Sequence, residues 1–105
     1  MKILFDQGTP VPLRRHLHPH LVDTAAELGW SQLQNGDLLA SAEEKGYDLM
    51  ITTDQNLQYQ QNMSDRTIGI VVLKTTSWPR IKTKVDEVSR AVNDLPAGGY
   101  AEVVI

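Results

Sequence analysis

Two aspartates draw attention because each follows a short apolar run: Asp6 after Ile3-Leu4-Phe5, and Asp54 after Leu49-Met50-Ile51-Thr52-Thr53. A short apolar run stopped by turn-forming residues predicts a buried strand, so both carboxylates are expected at strand ends. In open parallel sheets, ligands bind beyond the carboxyl ends of the strands. Carboxylates converging there repel, and each raises the other's pKa unless a cation sits between them. A few hard oxygen donors suit Mg²⁺ or Mn²⁺, which complete their shells with water and substrate phosphate. Such an ion generates hydroxide and stabilises the charge on a cleaved phosphodiester. Aspartate after a strand is also a common helix cap or turn residue, so residue type and spacing leave capping and metal binding both open.

For the two carboxylates to meet, their strands must be neighbours, which makes the elements decisive. Lys2–Phe5 reads as a strand ending in a turn. Thr9 is placed to cap a helix whose first turn tolerates Pro10 and Pro12, with Leu13 and Leu17 on one face and Pro19 as its stop. His20–Thr24 is a weaker strand, and Glu27 to Trp30 a turn broken at Gly29. Asn35 is expected to cap a helix over Gly36–Lys45, closed by Gly46 in a left-handed conformation. Asp54 is placed to cap a helix over Gln55–Gln61. Thr67–Leu73 is β-branched and apolar, the pattern of a strand buried on both faces. Trp78-Pro79 marks a break. Ile81, Val85, Val88, Val92 and Leu95 then recur at helical spacing, and Tyr100–Ile105 reads as a last strand. Strands alternating with helices predict βαβ crossovers. The expected fold is a single-domain α/β three-layer sandwich around a mainly parallel sheet of about four to five strands.

A chain of 105 residues suits one domain. The absence of cysteine excludes disulfides, thiolate metal sites and cysteine nucleophiles, and fits a reducing cytoplasm. The start, Met1 to Asp6, has too short an apolar run for a signal peptide, and no stretch has the length of a membrane helix. The net charge of −3 creates no global field that would recruit nucleic acid. An RNA or DNA substrate would need a local basic patch or a metal ion to hold its phosphates.

From Met1 to about Leu73 the sequence resembles the PIN-like domains of a bacterial family of small predicted nucleases, the DUF5615 type. The residues that carry the likeness are Ile3-Leu4-Phe5-Asp6, Ala26-Glu27-Leu28-Gly29, the Asn35-Gly36-Asp37-Leu38 opening of a helix, and Thr52-Thr53-Asp54-Gln55-Asn56. The resemblance implies a metal-dependent ribonuclease acting as the toxin of a toxin–antitoxin pair. Its cofactor would be Mg²⁺ or Mn²⁺, its substrate RNA, and its partner a small antitoxin protein, with a homo-oligomer open. Asp6 matches the family's first metal-binding aspartate, and Asp54 with Thr52 matches its Thr-x-Asp motif. Glu27 falls at the family's Glu-Leu-Gly. Asn35 stands where relatives carry an acidic ligand, with Asp37 as the nearest carboxylate. Asn56 stands where relatives have a second aspartate, and Gln7 where they often have glutamate. All these departures remove negative charge, which weakens Mg²⁺ binding. A catalytically weak PIN-like module that binds RNA or protein is therefore the alternative. A receiver-like phosphorylated switch is a third reading, and it lacks the acidic pair after the first strand.

Other residues carry a functional and a plain reading side by side. His16, His18 and His20 alternate in a way that suggests zinc, yet Pro19 interrupts them and solvated helix-end histidines are the default. Arg14, Arg15, Arg66, Lys74, Arg80, Lys82 and Lys84 are candidate phosphate contacts or ordinary solubilising charges. Tyr59 is placed to stack on a base or to pack. Trp30 and Trp78 suit an interface or a lid over the core, and Glu43 and Glu44 read as a solvated helix face.

Overall fold

The computed structural model describes residues 1–56 and 66–105. The chain runs β1 (Lys2–Phe5), a 3₁₀ helix (Val11–Leu17), β2 (Leu21–Thr24), α1 (Asn35–Glu44), β3 (Leu49–Thr52), β4 (Gly69–Leu73), α2 (Trp78–Lys82), α3 (Val85–Asp94) and β5 (Tyr100–Val103). The five strands form one sheet in the order β2-β1-β3-β4-β5, and every pairing is parallel. β3 and β4 are buried at every position, and β1 at all but Lys2. A parallel sheet covered on both faces requires such unbroken apolar strands. The edge strands β2 and β5 are the mixed ones.

Because side chains alternate along a strand, the apolar runs divide between two cores. Ile3, Phe5, Leu49, Ile51, Val71 and Leu73 face Leu13 and Leu17 of the 3₁₀ helix, Ile81 of α2, and Val88 and Val92 of α3. Leu4, Met50, Ile70 and Val72 face Leu38, Leu39 and Ala42 of α1, together with Tyr47. The result is the three-layer α/β sandwich expected. No helix among the described residues is long and apolar enough to cross a membrane.

Four local expectations change. Thr9 does not cap its helix. Pro10 occupies the cap position and the Thr9 side chain turns into the sheet edge. α1 begins at Asn35, with Gln34 in the cap position, while Gly46 closes it at φ +83 as expected. Trp78-Pro79 opens α2 rather than breaking the chain, since proline fits the first helical turn. The helix expected through Ile81 to Leu95 is two helices. The Thr83 hydroxyl donates to the Arg80 carbonyl at 2.7 Å, a side-chain competitor for the helical ladder. The helix expected after Asp54 lies mostly outside the described residues.

Candidate functional site

The strand order reverses between β1 and β3, since β2 lies on one side of β1 and β3 to β5 on the other. Ligands of open α/β sheets bind at such reversals, beyond the carboxyl ends. Phe5 is in register with Ile51, and the Asp6 amide donates to the Ile51 carbonyl at 3.1 Å. Asp6 therefore emerges beside Thr52, which is fully buried. The Thr52 hydroxyl donates to Asp6 Oδ2 and accepts the Asp54 amide at 3.0 Å. A single hydroxyl thus ties the first carboxylate to the backbone of the second. This is the physical content of the Thr-x-Asp sequence.

Asp6 Oδ1 accepts the Gly8 amide at 3.2 Å and lies 2.9 Å from Thr9 Oγ, which in turn is 2.8 Å from the Ile51 carbonyl oxygen. A threonine hydroxyl has one proton, so with Asp6 ionised it serves one acceptor at a time. A protonated Asp6 could donate to Thr9 and free Thr9 to donate to Ile51. Burial raises the Asp6 pKa above the usual aspartate value, opposed by hydrogen bonds from Thr52, Thr9 and Gly8 and reinforced by the charge of Asp54. Asp54 Oδ1 accepts the Asn56 amide at 3.0 Å, an Asx turn, so the carboxylate serves its own turn while its backbone is tied through Thr52 to Asp6. The two loops also need Gly8: a Cβ there would sit 2.3 Å from Thr53 Oγ1.

A cleft of about 120 Å³ opens beside Asp6, bounded by Gln7, Ala25, Trp30, Leu33 and Leu38 among others. The other expected site residues lie around this edge or apart from it. Glu27 does not join the aspartates. Its Oε1 accepts the Thr24 amide at 2.9 Å and pairs with Arg14, while its own amide donates to Thr24 Oγ1 at 3.1 Å. That reciprocal pair is a capping box, legible in advance as Thr24-Ala25-Ala26-Glu27. The Arg14 partnership holds the Glu27 carboxyl below its usual value, helped by the Thr24 amide. Arg14 is correspondingly committed to Glu27, whereas Arg15 and Gln7 are exposed. Asp37 is exposed in the first turn of α1, which Asn35 begins. Asn56 is exposed, and Tyr59 lies outside the described residues.

Among the described residues no three histidine or acidic side chains form a group able to hold a metal, so Asp6 and Asp54 are at most a pair. The histidines go separate ways. His20 Nε2 is 2.8 Å from Asn93 Oδ1, and the His16 ring lies 5.8 Å from that of Trp78. Glu43 is not a merely solvated residue either. It pairs with Arg66 at 2.8 Å and accepts the amide and hydroxyl of Thr67 at 2.6 and 2.9 Å. No family model, no curated protein and no solved structure matches this chain.

Proposed function

We propose that this chain is a PIN-like, metal-dependent hydrolase of RNA phosphodiesters, acting in the cytoplasm as the toxin partner of a small antitoxin protein. The observation that carries the reading is the buried Thr52 hydroxyl. It fastens Asp6 of one strand end to the Asp54 segment of the next, at the point where the sheet order reverses. The donor set suits a small hard cation, because Mg²⁺ is commonly held by one or two carboxylates plus water and substrate phosphate. Asp6 and Asp54 would hold Mg²⁺ or Mn²⁺, with the Asn56 side chain in the adjoining turn as a further oxygen donor. When bound, the ion supplies a hydroxide nucleophile and neutralises the phosphate.

The protein residues do the positioning. Thr52 and Thr9 fix the Asp6 carboxyl, and Gly8 lets the β1 loop approach the β3 loop. Gln7 and Arg15, both exposed in the chain's first crossover, are the phosphate contacts this reading assigns. Arg14 reaches substrate only by leaving Glu27.

A second reading, a PIN-like module that binds RNA or protein without cutting, is favoured by the capture of Glu27 in a capping box and by amides at Asn35 and Asn56. One experiment separates the two: cleavage of RNA by protein reconstituted with Mg²⁺ or Mn²⁺, beside Asp6→Asn and Asp54→Asn. Metal-dependent cleavage that both substitutions abolish supports the hydrolase. RNA binding without cleavage supports the module, and equal cleavage by all three proteins sinks the assignment of the aspartates.

A further inference from the structure

We propose that the cleft beside Asp6 is a nucleobase subsite with Trp30 as its stacking wall. The proposal deepens the hydrolase reading and rests on it for the identity of the substrate. The cleft has room for about 120 Å³, well below the roughly 300–1,000 Å³ of a drug-sized pocket, so it limits an occupant to a single small group such as one base rather than a peptide segment. Its apolar wall is built from Trp30, Ala25, Leu33 and Leu38, and its polar groups are Gln7, Ser31 and Asp6. An indole beside aliphatic side chains suits an uncharged aromatic ring, since base stacking on aromatics tolerates any base. The Asp6 carboxylate disfavours an anion in the same space. The Gln7 amide offers both a donor and an acceptor, which can meet the edge of a base in more than one pattern.

Trp30 is already in place. Its ring meets that of Tyr47 edge-on at 6.3 Å and 74°. Tyr47 is buried, donates its hydroxyl to Asp23 Oδ2 at 2.6 Å, and lies under the Lys2 ammonium at 4.3 Å from the ring centroid. The Trp30 amide donates to the Ala25 carbonyl at 2.8 Å, and the Trp30 carbonyl accepts the Leu33 amide at 3.0 Å. A stacking wall fixed in this way loses little freedom when a ring docks on it. Because Asp6 lines the cleft and also belongs to the acidic pair, a base seated here lies next to the site where its own phosphate would be cut.

The test is titration of 2-aminopurine riboside, whose emission falls on stacking, with the full chain in EDTA. Saturable quenching is expected, Trp30→Phe should retain it, and Trp30→Ala should weaken it by about tenfold. Leu33 is 37% exposed, so Leu33→Glu leaves the core untouched and should weaken quenching as well, which covers the case of a misfolded Trp30→Ala. No saturable quenching, or quenching unchanged in Trp30→Ala and Leu33→Glu, overturns the subsite. RNA cleavage by the same protein, moved from EDTA into Mg²⁺ or Mn²⁺, is read in parallel. Intact cleavage without riboside binding removes the subsite alone, and riboside binding without cleavage removes the hydrolase reading alone.

Discussion

Asp6 is half-buried, partly withdrawn from water against its own charge, and that conflict can be measured. Its folded pKa is raised, with burial the largest cause, so between the ordinary aspartate value and the raised one the native state holds a proton that the unfolded state has released. Stability must fall as pH rises through that window. Asp6→Asn should flatten this slope and raise the melting temperature at neutral pH, while abolishing any metal-dependent cleavage. Thermal melts of both proteins across acidic to neutral pH check the sign, and a steeper slope in the variant would contradict it. A divalent cation should raise the melting temperature of the native chain alone, because binding the folded state stabilises it. Thr52 makes the complementary case. Thr52→Val keeps the shape but leaves Asp6 Oδ2 and the Asp54 amide without their shared partner. The expected cost is about 1–3 kcal/mol in a denaturant titration, together with a further rise in the Asp6 pKa.

At the scale of elements, what could be read in advance followed hydrophobic period, and what could not followed side chains that reach across the fold. The Gly69–Leu73 strand was legible because continuous β-branched residues have no exposed face to offer. The stripe from Ile81 to Val92 was legible as one buried face but not as two helices, because apolar spacing does not register a break such as the one at Thr83, whose hydroxyl bonds the Arg80 carbonyl. Thr9 reads as a cap in the sequence for a similar reason: its partners Asp6 and Ile51 become neighbours only once β1 pairs with β3. Glu43 is the clearest instance. On α1 it looks like a surface charge, yet it receives Arg66 and the amide and hydroxyl of Thr67 just before β4. Burial raises its pKa, but the bonds from Arg66, Thr67 and Ile68 outweigh this, and the carboxyl titrates below its usual value. A lowered folded pKa contributes stability above the unfolded value and loses it as pH falls toward the folded one. Glu43→Gln should therefore lower stability at neutral pH by about 1–3 kcal/mol, and the difference from the native chain should shrink in acid. A difference that grows on acidification would show that the ion pair is not the source.

For the molecule as a whole, the decisive property is an order that composition does not contain. Short strands at Asp6 and Asp54 were evident, but their adjacency depends on β2 folding back to one side of β1 while β3 takes the other. The right-handed crossover rule limits such arrangements to a few without selecting this one. Asp6 and Asp54 put negative charge at this edge of a chain whose overall charge is already −3. Non-specific attraction to phosphates is therefore weak, and RNA affinity must come from a bound cation, from stacking, or from both. Anisotropy of a labelled RNA at about 0.15 M salt distinguishes these sources. If the acidic pair takes the cation that grips phosphate, Mg²⁺ should tighten binding by at least about tenfold over EDTA, a gain of about 1.4 kcal/mol. The gain should vanish in Asp6→Asn and Asp54→Asn. Removing a carboxylate without supplying the ion should instead strengthen binding slightly in EDTA, since it deletes a repulsion. Affinity that ignores both Mg²⁺ and the two substitutions would mean that the sheet edge is not where RNA binds. The sandwich would then present its ligand surface elsewhere.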